Sequence, residues 1–422
     1  MKALAIVLFV LMYAVMIGKP KWRVFAALSV AAAYLVTGIL PFGKILSSIN
    51  WNVLMMMGGT MVVVYYFIES QMPARLAEIL LDHSKNVMWV TIWMSLFAGL
   101  ISAFIDNVAT VVMVAPVGMA ICKKLKINPV PMILAIAVSS NLQGAATLVG
   151  DTTSILLGAY AKMDFLDFFW MNGRPGIFFA VELGALATVP VMMFLFRKDR
   201  APVKAEHTAK VKDPVPALFL VAVVVLLIAA SFIPGRPELT NGFICVGLAF
   251  ASIVYDFAKN MNKKRIREAV KSVDFETLLL LTGLFLVIQG ITEVGIIDDL
   301  AGFIASVGGS NLFVLYTVIV WGSVVISAFV DNIPYVATML PVLTKVTGLM
   351  GVSPHLLFFG LLSGATLGGN LTPIGASANI AGVGLLRKEG HEVSFGDFMR
   401  IGVPFTLVAV ATAYVYLWIF WR

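Results

Sequence analysis

Little of this chain is charged: only 13% of its 422 residues are Asp, Glu, Lys or Arg, about half of the ~25% usual in a soluble domain. That is too little to coat a water-facing surface, and the charges fall in short clusters between long apolar runs. Cysteine is nearly missing. Cys122 and Cys245 form neither a disulfide framework nor a metal motif, and both read as small apolar fillers. The four histidines, at 83, 207, 355 and 391, lie in or near loops without ligand spacing, so no metal site and no cofactor is expected. No nucleophile–base or metal constellation is found either, and the chain is not expected to be an enzyme. Short alternating segments, the mark of a transmembrane barrel, are absent. No small-residue cleavage motif follows the apolar run that ends at Ile17, so that run is expected to stay as a first helix.

What is abundant is apolar: 60% of the residues are hydrophobic. A run of about 20 such residues spans a bilayer core, and helices close their own backbone hydrogen bonds in lipid. The sequence therefore predicts an all-α polytopic membrane protein. Its expected full spans are 2–17, 23–41, 51–70, 130–160, 175–196, 215–233, 238–257, 275–296, 354–386 and 401–420. Two further segments, 87–122 and 311–346, each carry Asp-Asn between two apolar runs. A charge at the bilayer centre costs at least ~2.5 kcal/mol, and non-helical backbone at that depth must face protein or a water-filled cavity. Both segments are thus expected to be re-entrant hairpins with Asp106-Asn107 and Asp331-Asn332 at their tips.

The basic residues fit this arrangement. With the loop holding Lys19, Lys21 and Arg23 on the cytoplasmic side, only Lys2, Lys44, Lys162, Arg174, Arg236, Lys345 and Arg422 fall outside, leaving 23 of the 30 inside. Both termini are then non-cytoplasmic. The net charge of +7 reflects these membrane-flanking loops rather than a nucleic-acid partner. The basic, polar stretch 197–214 reads as a cytoplasmic linker between an N-terminal unit, 1–196, and a C-terminal unit, 215–422.

Those two units repeat. Ser102–Val108 (SAFIDNV) returns as Ser327–Ile333 (SAFVDNI), and at the same offset Pro116 matches Pro341, Gly144 matches Gly369, Thr147 matches Thr372 and Gly150 matches Gly375. Gly59 and Glu69 match Gly283 and Glu293, and Phe165–Phe168 matches Phe395–Phe398. Each unit holds five spans, one of them broken, and one hairpin. An odd number of spans turns the second copy upside down, and inverted repeats with discontinuous helices are common in secondary transporters.

Candidate site residues follow from the tips and the breaks. Asp106, Asn107, Asp331 and Asn332 offer hard oxygens for Na⁺, or a proton carrier; the same residue types also cap helices. The Gly-rich stretches 139–154 and 364–379 break long apolar segments, and unwound backbone there can bind ions. Small residues also permit close helix packing, but that does not explain the polar residues among them. From these stretches come Asn141, Thr147, Gly150, Asp151, Thr152, Asn370, Thr372, Pro373, Gly375, Ser377 and Asn379. Asp151 has no acidic counterpart, since Ala376 occupies the matching place, and is a second candidate for the coupling ion. Glu182, alone in a span, is a weaker candidate, for a buried polar contact. Glu69 and Glu293 read as solvated span ends. No Lys or Arg falls in the expected midplane site, which favours a cation or a neutral or weakly charged oxyacid over citrate as substrate.

The run from Ser102 to Val117, the later Thr147-Leu-Val-Gly-Asp151 and Gly369-Asn-Leu-Thr-Pro-Ile-Gly-Ala-Ser-Ala-Asn-Ile380 resemble the ion transporter superfamily: arsenite permeases, NhaD-type sodium/proton antiporters, the P protein, and citrate and dicarboxylate carriers. The likeness covers nearly the whole chain. Dicarboxylate carriers bear Ser-Asn-Thr at both tips, where this chain has Asp106-Asn107-Val108 and Asp331-Asn332-Ile333. P-protein-like members carry Gly-Asp-Pro-Pro-Asn where this chain has Gly150-Asp151-Thr152-Thr153-Ser154. The resemblance implies an elevator-type homodimer in a bacterial or archaeal inner membrane, moving a small inorganic ion or oxyacid with H⁺ or Na⁺. A citrate or dicarboxylate symporter is the alternative, and an ion channel the alternative of another class.

Overall fold

The computed structural model describes residues 1–81, 84–203, 210–309 and 311–422. His83, His207, Lys204 and the middle of the expected linker lie outside the described residues. The first half forms α1 (Lys2–Gly18), α2 (Arg23–Val36), α3 (Ile45–Ser48), α4 (Trp51–Glu69), α5 (Met72–Leu81), α6 (Val87–Ser102), α7 (Asn107–Leu125), α8 (Val130–Gly144), α9 (Thr152–Ala161) and α10 (Ile177–Leu195). The second half forms α11 (Val215–Ser231), α12 (Thr240–Asn260), α13 (Lys263–Lys271), α14 (Phe275–Glu293), α15 (Ile296–Gly308), α16 (Leu312–Ser327), α17 (Asn332–Met350), α18 (His355–Leu362), α19 (Ser377–Lys388) and α20 (Phe395–Trp421). Both bounds of α6 and α7 recur in α16 and α17 at the offset of the sequence repeat.

The caps recur too. Asn50 accepts from the Val53 amide at the start of α4, and Asp274 from the Thr277 amide at the start of α14. Asn86 and Asn311 cap α6 and α16 in the same way. Each such residue satisfies an amide that the first helical turn leaves without a partner.

Among the described residues, seven helices are long and apolar enough to cross a membrane: α4, α7, α10, α12, α14, α17 and α20. An eighth is added if α15 and α16 count as one bent span. Several expected spans come out shorter. Helix α2 stops at Val36 rather than 41, where Gly38 turns the chain at φ +73°, and α11 stops at Ser231 rather than 233. Conversely, the second arms of the expected hairpins are longer than the sequence suggests. Helices α7 and α17 run 19 residues each, past 122 and 346 to Leu125 and Met350, or about 28 Å at 1.5 Å per residue. Lys123 and Lys124 fall in the last turn of α7, where positive charge is favourable.

The all-α expectation misses one small hairpin, β1 (Trp170–Met171) and β2 (Arg174–Pro175), paired antiparallel. Asn172 and Gly173 both have positive φ in its turn, and Asn-Gly is the favoured pair for such a turn.

The halves interlock. Helix α4 packs on α12 and α14 on α2, so each long contact joins one half to the other. The matched glycines make this possible. A Cβ on Gly59 would stand 2.5 Å from the carbonyl carbon of Cys245, and one on Gly283 would stand 2.9 Å from the Cβ of Ala27. Around these pairs lie α6 against α8 and α10 against α20.

Candidate functional site

Asp106 and Asp331 are N-caps. The first accepts from the amides of Val108 and Ala109, the second from that of Ile333. Each cap leaves carboxylate lone pairs free, so capping and ion binding are compatible on one side chain. The neighbouring amides, Asn107 and Asn332, are 4% and 3% exposed and point into the protein.

Both expected breaks occur. Helix α8 ends at Gly144 and α9 begins at Thr152; α18 gives way to a π-helical turn at Ser363–Leu367 and a 3₁₀ turn at Gly369–Leu371 before α19. Each break is tied to a tip by the same pair of contacts. The Thr147 hydroxyl donates to the Ala103 carbonyl and the Thr372 hydroxyl to the Ala328 carbonyl. A Cβ on Gly150 would meet the carbonyl oxygens of Gly144, Ser102 and Ala103 at 2.5, 2.6 and 2.7 Å, and one on Gly375 those of Gly369, Ser327 and Ala328 at 2.7 Å or more for the last two and 2.6 Å for the first. These four residues hold the unwound backbone against the tips.

An amide network joins the two breaks. The Asn141 amide donates to the Thr366 carbonyl at 2.7 Å and to Asn370 Oδ1 at 3.1 Å, and its own Oδ1 accepts from Asn107 at 3.0 Å. Asn370 in turn donates to the Val138 carbonyl at 2.8 Å. Asn141 thus spends both donors on bridging the halves. Asn379 donates to the carbonyls of Gly369 and Thr372, while its buried Oδ1 has no partner among the described residues. Pro373 lies in the second break and is partly buried.

Asp151 is 3% exposed, accepts from Thr153 at 2.8 Å and stands 3.4 Å from the Asn332 amide. Through Asn332 it stands beside the second tip, and it shares a cavity wall with Asp106. Asp106, Asp151 and Thr152 line one wall of a cavity of about 370 Å³. Helix α4 from Met57 to Glu69 forms the facing wall, and Ser272 and Asp274 stand exposed at its edge. Its described lining holds four carboxylates and no Lys or Arg. A second cavity, of about 710 Å³, lies at the other end of α4 and α9, between residues 46–52, 158–164 and 236–241. Arg236 pairs there with Asp164.

One premise of the sequence reading is overturned. Arg23 opens α2 and reaches the second tip: its Nη1 donates to Asp331 Oδ2 at 2.8 Å and its Nε to Glu276 at 3.2 Å. Ser377 donates to the same Asp331 oxygen at 3.3 Å. The reason is tertiary. The loop at 18–23 and the tip at 331 are over 300 residues apart, and only the packing of α1 and α2 on the second half brings them together; Tyr13 of α1 likewise bonds the Pro334 carbonyl and Thr338 of α17. Sequence reasoning also missed Asp274 and Glu276, whose place at the start of α14 reads as capping alone. Glu69 lines the first cavity and lies 3.9 Å from Arg265, while Glu293 pairs with Lys44.

Comparisons with known proteins agree on the kind of molecule. A family model described as citrate transporter matches residues 11–364. An uncharacterized transporter of Mycobacterium bovis is 31% identical over 429 residues, covering 99% of this chain and 98% of that protein. The P protein of Mus musculus is 25% identical over 479 residues, covering 93% of this chain and 56% of that one. Among solved structures, the YdaH transporter of Alcanivorax borkumensis superposes with a TM-score of 0.62 at 15% identity, over 90% of this chain and 87% of that chain. MtrF of Neisseria gonorrhoeae superposes with a TM-score of 0.57 at 16% identity, over 94% and 84%. The fold is that of an all-helical integral membrane transporter.

Proposed function

We propose, from the premise that the chain belongs to the citrate transporter family of the ion transporter superfamily, that it is a secondary active transporter coupled to H⁺ or Na⁺ which moves a small inorganic ion or oxyacid. One observation carries this reading: Asp106, Asp151 and Asp274 converge on a cavity whose described lining has no positive side chain. Asp106 and Asp151 lie inside the protein with no cationic partner among the described residues, and a proton or Na⁺ supplies one. Asn107 and Thr152 supply further oxygens beside them. In this reading residues 1–196 and 215–422 are inverted copies joined by the linker 197–214. The α2–α14 and α4–α12 pairs form the scaffold of an elevator-type homodimer, and both termini are non-cytoplasmic.

A second reading, a citrate or dicarboxylate symporter, is favoured by the starts of α9 and α19. Their N-caps, Asp151 and Ala376, make no capping bond to the helix. Open amides at a helix start attract anions, and a carboxylate could bind there while a cation occupies Asp106.

Proteoliposome flux with a panel of ions and acids separates these readings. Asp106→Asn and Asp151→Asn are expected to abolish coupled flux while Tm stays near wild type, because Asn keeps the shape of Asp and, at 106, its capping ability. Wild-type coupling in both variants would refute the cation site. A conductance of single-channel size would mark a channel instead.

A further inference from the structure

The sequence repeat makes the two tip aspartates look equivalent; their surroundings are not. Asp106 opens onto the 370 Å³ cavity, and among the described residues its hydrogen bonds are to backbone amides alone. Asp331 is not among that cavity's lining residues. It holds a guanidinium at 2.8 Å instead, and both side chains of that pair are only 18% exposed. The groups facing Asp331 are Arg23 from α2, Ser377 from α19 and Asp151 from the first break, with Glu276 of α14 on the far side of the guanidinium.

Resting on the cation-coupled reading above, we infer that Arg23 is a built-in cation for Asp331, so that the transported cation binds at Asp106 with Asp151 and the second tip takes none. The argument is one of charge balance. A half-buried carboxylate next to Asp151 and Glu276 needs a positive partner, and Arg23 fills that need without leaving the protein. Arginine suits this task because it stays charged at every relevant pH and its planar fork can hold two carboxylates at once, here Asp331 and Glu276. Asp106 has no such partner among the described residues, so its cation comes from solution through the cavity. Two symmetric sequence motifs thereby yield one exchangeable cation and one permanent one.

Infrared difference spectra of the full-length chain in liposomes test this. Carboxyl bands are recorded on stepping Na⁺ at fixed pH and then on stepping pH without Na⁺, which covers both candidate ions. The wild type is expected to show a carboxylate response that Asp106→Asn removes and Asp331→Asn leaves. Arg23→Gln is expected to gain an added response, and Arg23→Gln with Asp331→Asn to lose that gain. Arg23→Lys, which keeps the charge, is expected to behave as wild type. Loss of the wild-type response in Asp331→Asn, or no gain in Arg23→Gln, would overturn the inference. Should Arg23→Gln not fold, the Asp331→Asn comparison decides alone. If Asp106→Asn leaves the wild-type response intact, it is the cation-coupled reading that has failed.

Discussion

At the scale of single residues, polar side chains inside the membrane divide into those fully bonded and those left open. Asn141 is of the first kind. Replacing it with Leu strips partners from Asn107, the Thr366 carbonyl and Asn370, each a buried group costing about 1–3 kcal/mol when unsatisfied. Asn141→Leu is therefore expected to lower Tm sharply, measured by thermal unfolding in detergent, whereas a variant that only lost a ligand would keep its Tm. Glu182 is of the second kind. Its Oε1 is buried in α10 with no partner among the described residues. Glu182→Gln removes the ionisable group at equal shape and is expected to hold or raise Tm; a marked fall would show that the carboxylate has a structural partner.

At the scale of elements, the breaks depend on backbone meeting backbone. Gly150→Ala and Gly375→Ala each drive a methyl group into three carbonyl oxygens. Overpacking typically costs 1–3 kcal/mol or more, so both variants are expected to lose folded yield, read by size-exclusion chromatography. The linker end makes a prediction in pH. Burial works against the charge on Asp213, but Lys259, the Val215 amide and Tyr255 together hold its carboxyl below the ordinary range. A lowered carboxylate stabilises above its unfolded pKa, and that contribution is lost as pH falls through the folded one. Proteolysis within 197–214 should thus rise only in acid for the wild type, and already at neutral pH for Asp213→Asn. Much of this element structure is legible in the sequence. The tips, the two breaks and the long apolar helices follow from where Asp, Asn and Gly interrupt hydrophobic runs. What escapes is set by other parts of the chain. Arg23 reads as a loop cation until α2 meets α14, and the last turn of α7 takes in lysines that sequence alone assigns to a loop.

At the scale of the whole molecule, the two cavities lie at opposite ends of α4, a helix long enough to cross the bilayer. The proposed orientation puts Ser272 at an inner mouth and Glu238 at an outer one. Cysteine introduced at 272 is expected to react only with reagent on the cytoplasmic side, and cysteine at 238 only from outside; the reverse pattern would invert the assignment. Between the cavities α9 contributes only Leu156 and Leu157, both fully buried, and α4 only Val53 to Met56. Were water to fill both cavities, the insulating layer would be about 5 Å thick along α9, three residues of rise, and about 8 Å along α4. A membrane voltage falls where the insulator is, so nearly the whole drop is concentrated across that layer. Each elementary charge that passes from one side of Leu156 and Leu157 to the other then exchanges about 2.3 kcal/mol per 100 mV, although it travels only a fraction of the bilayer.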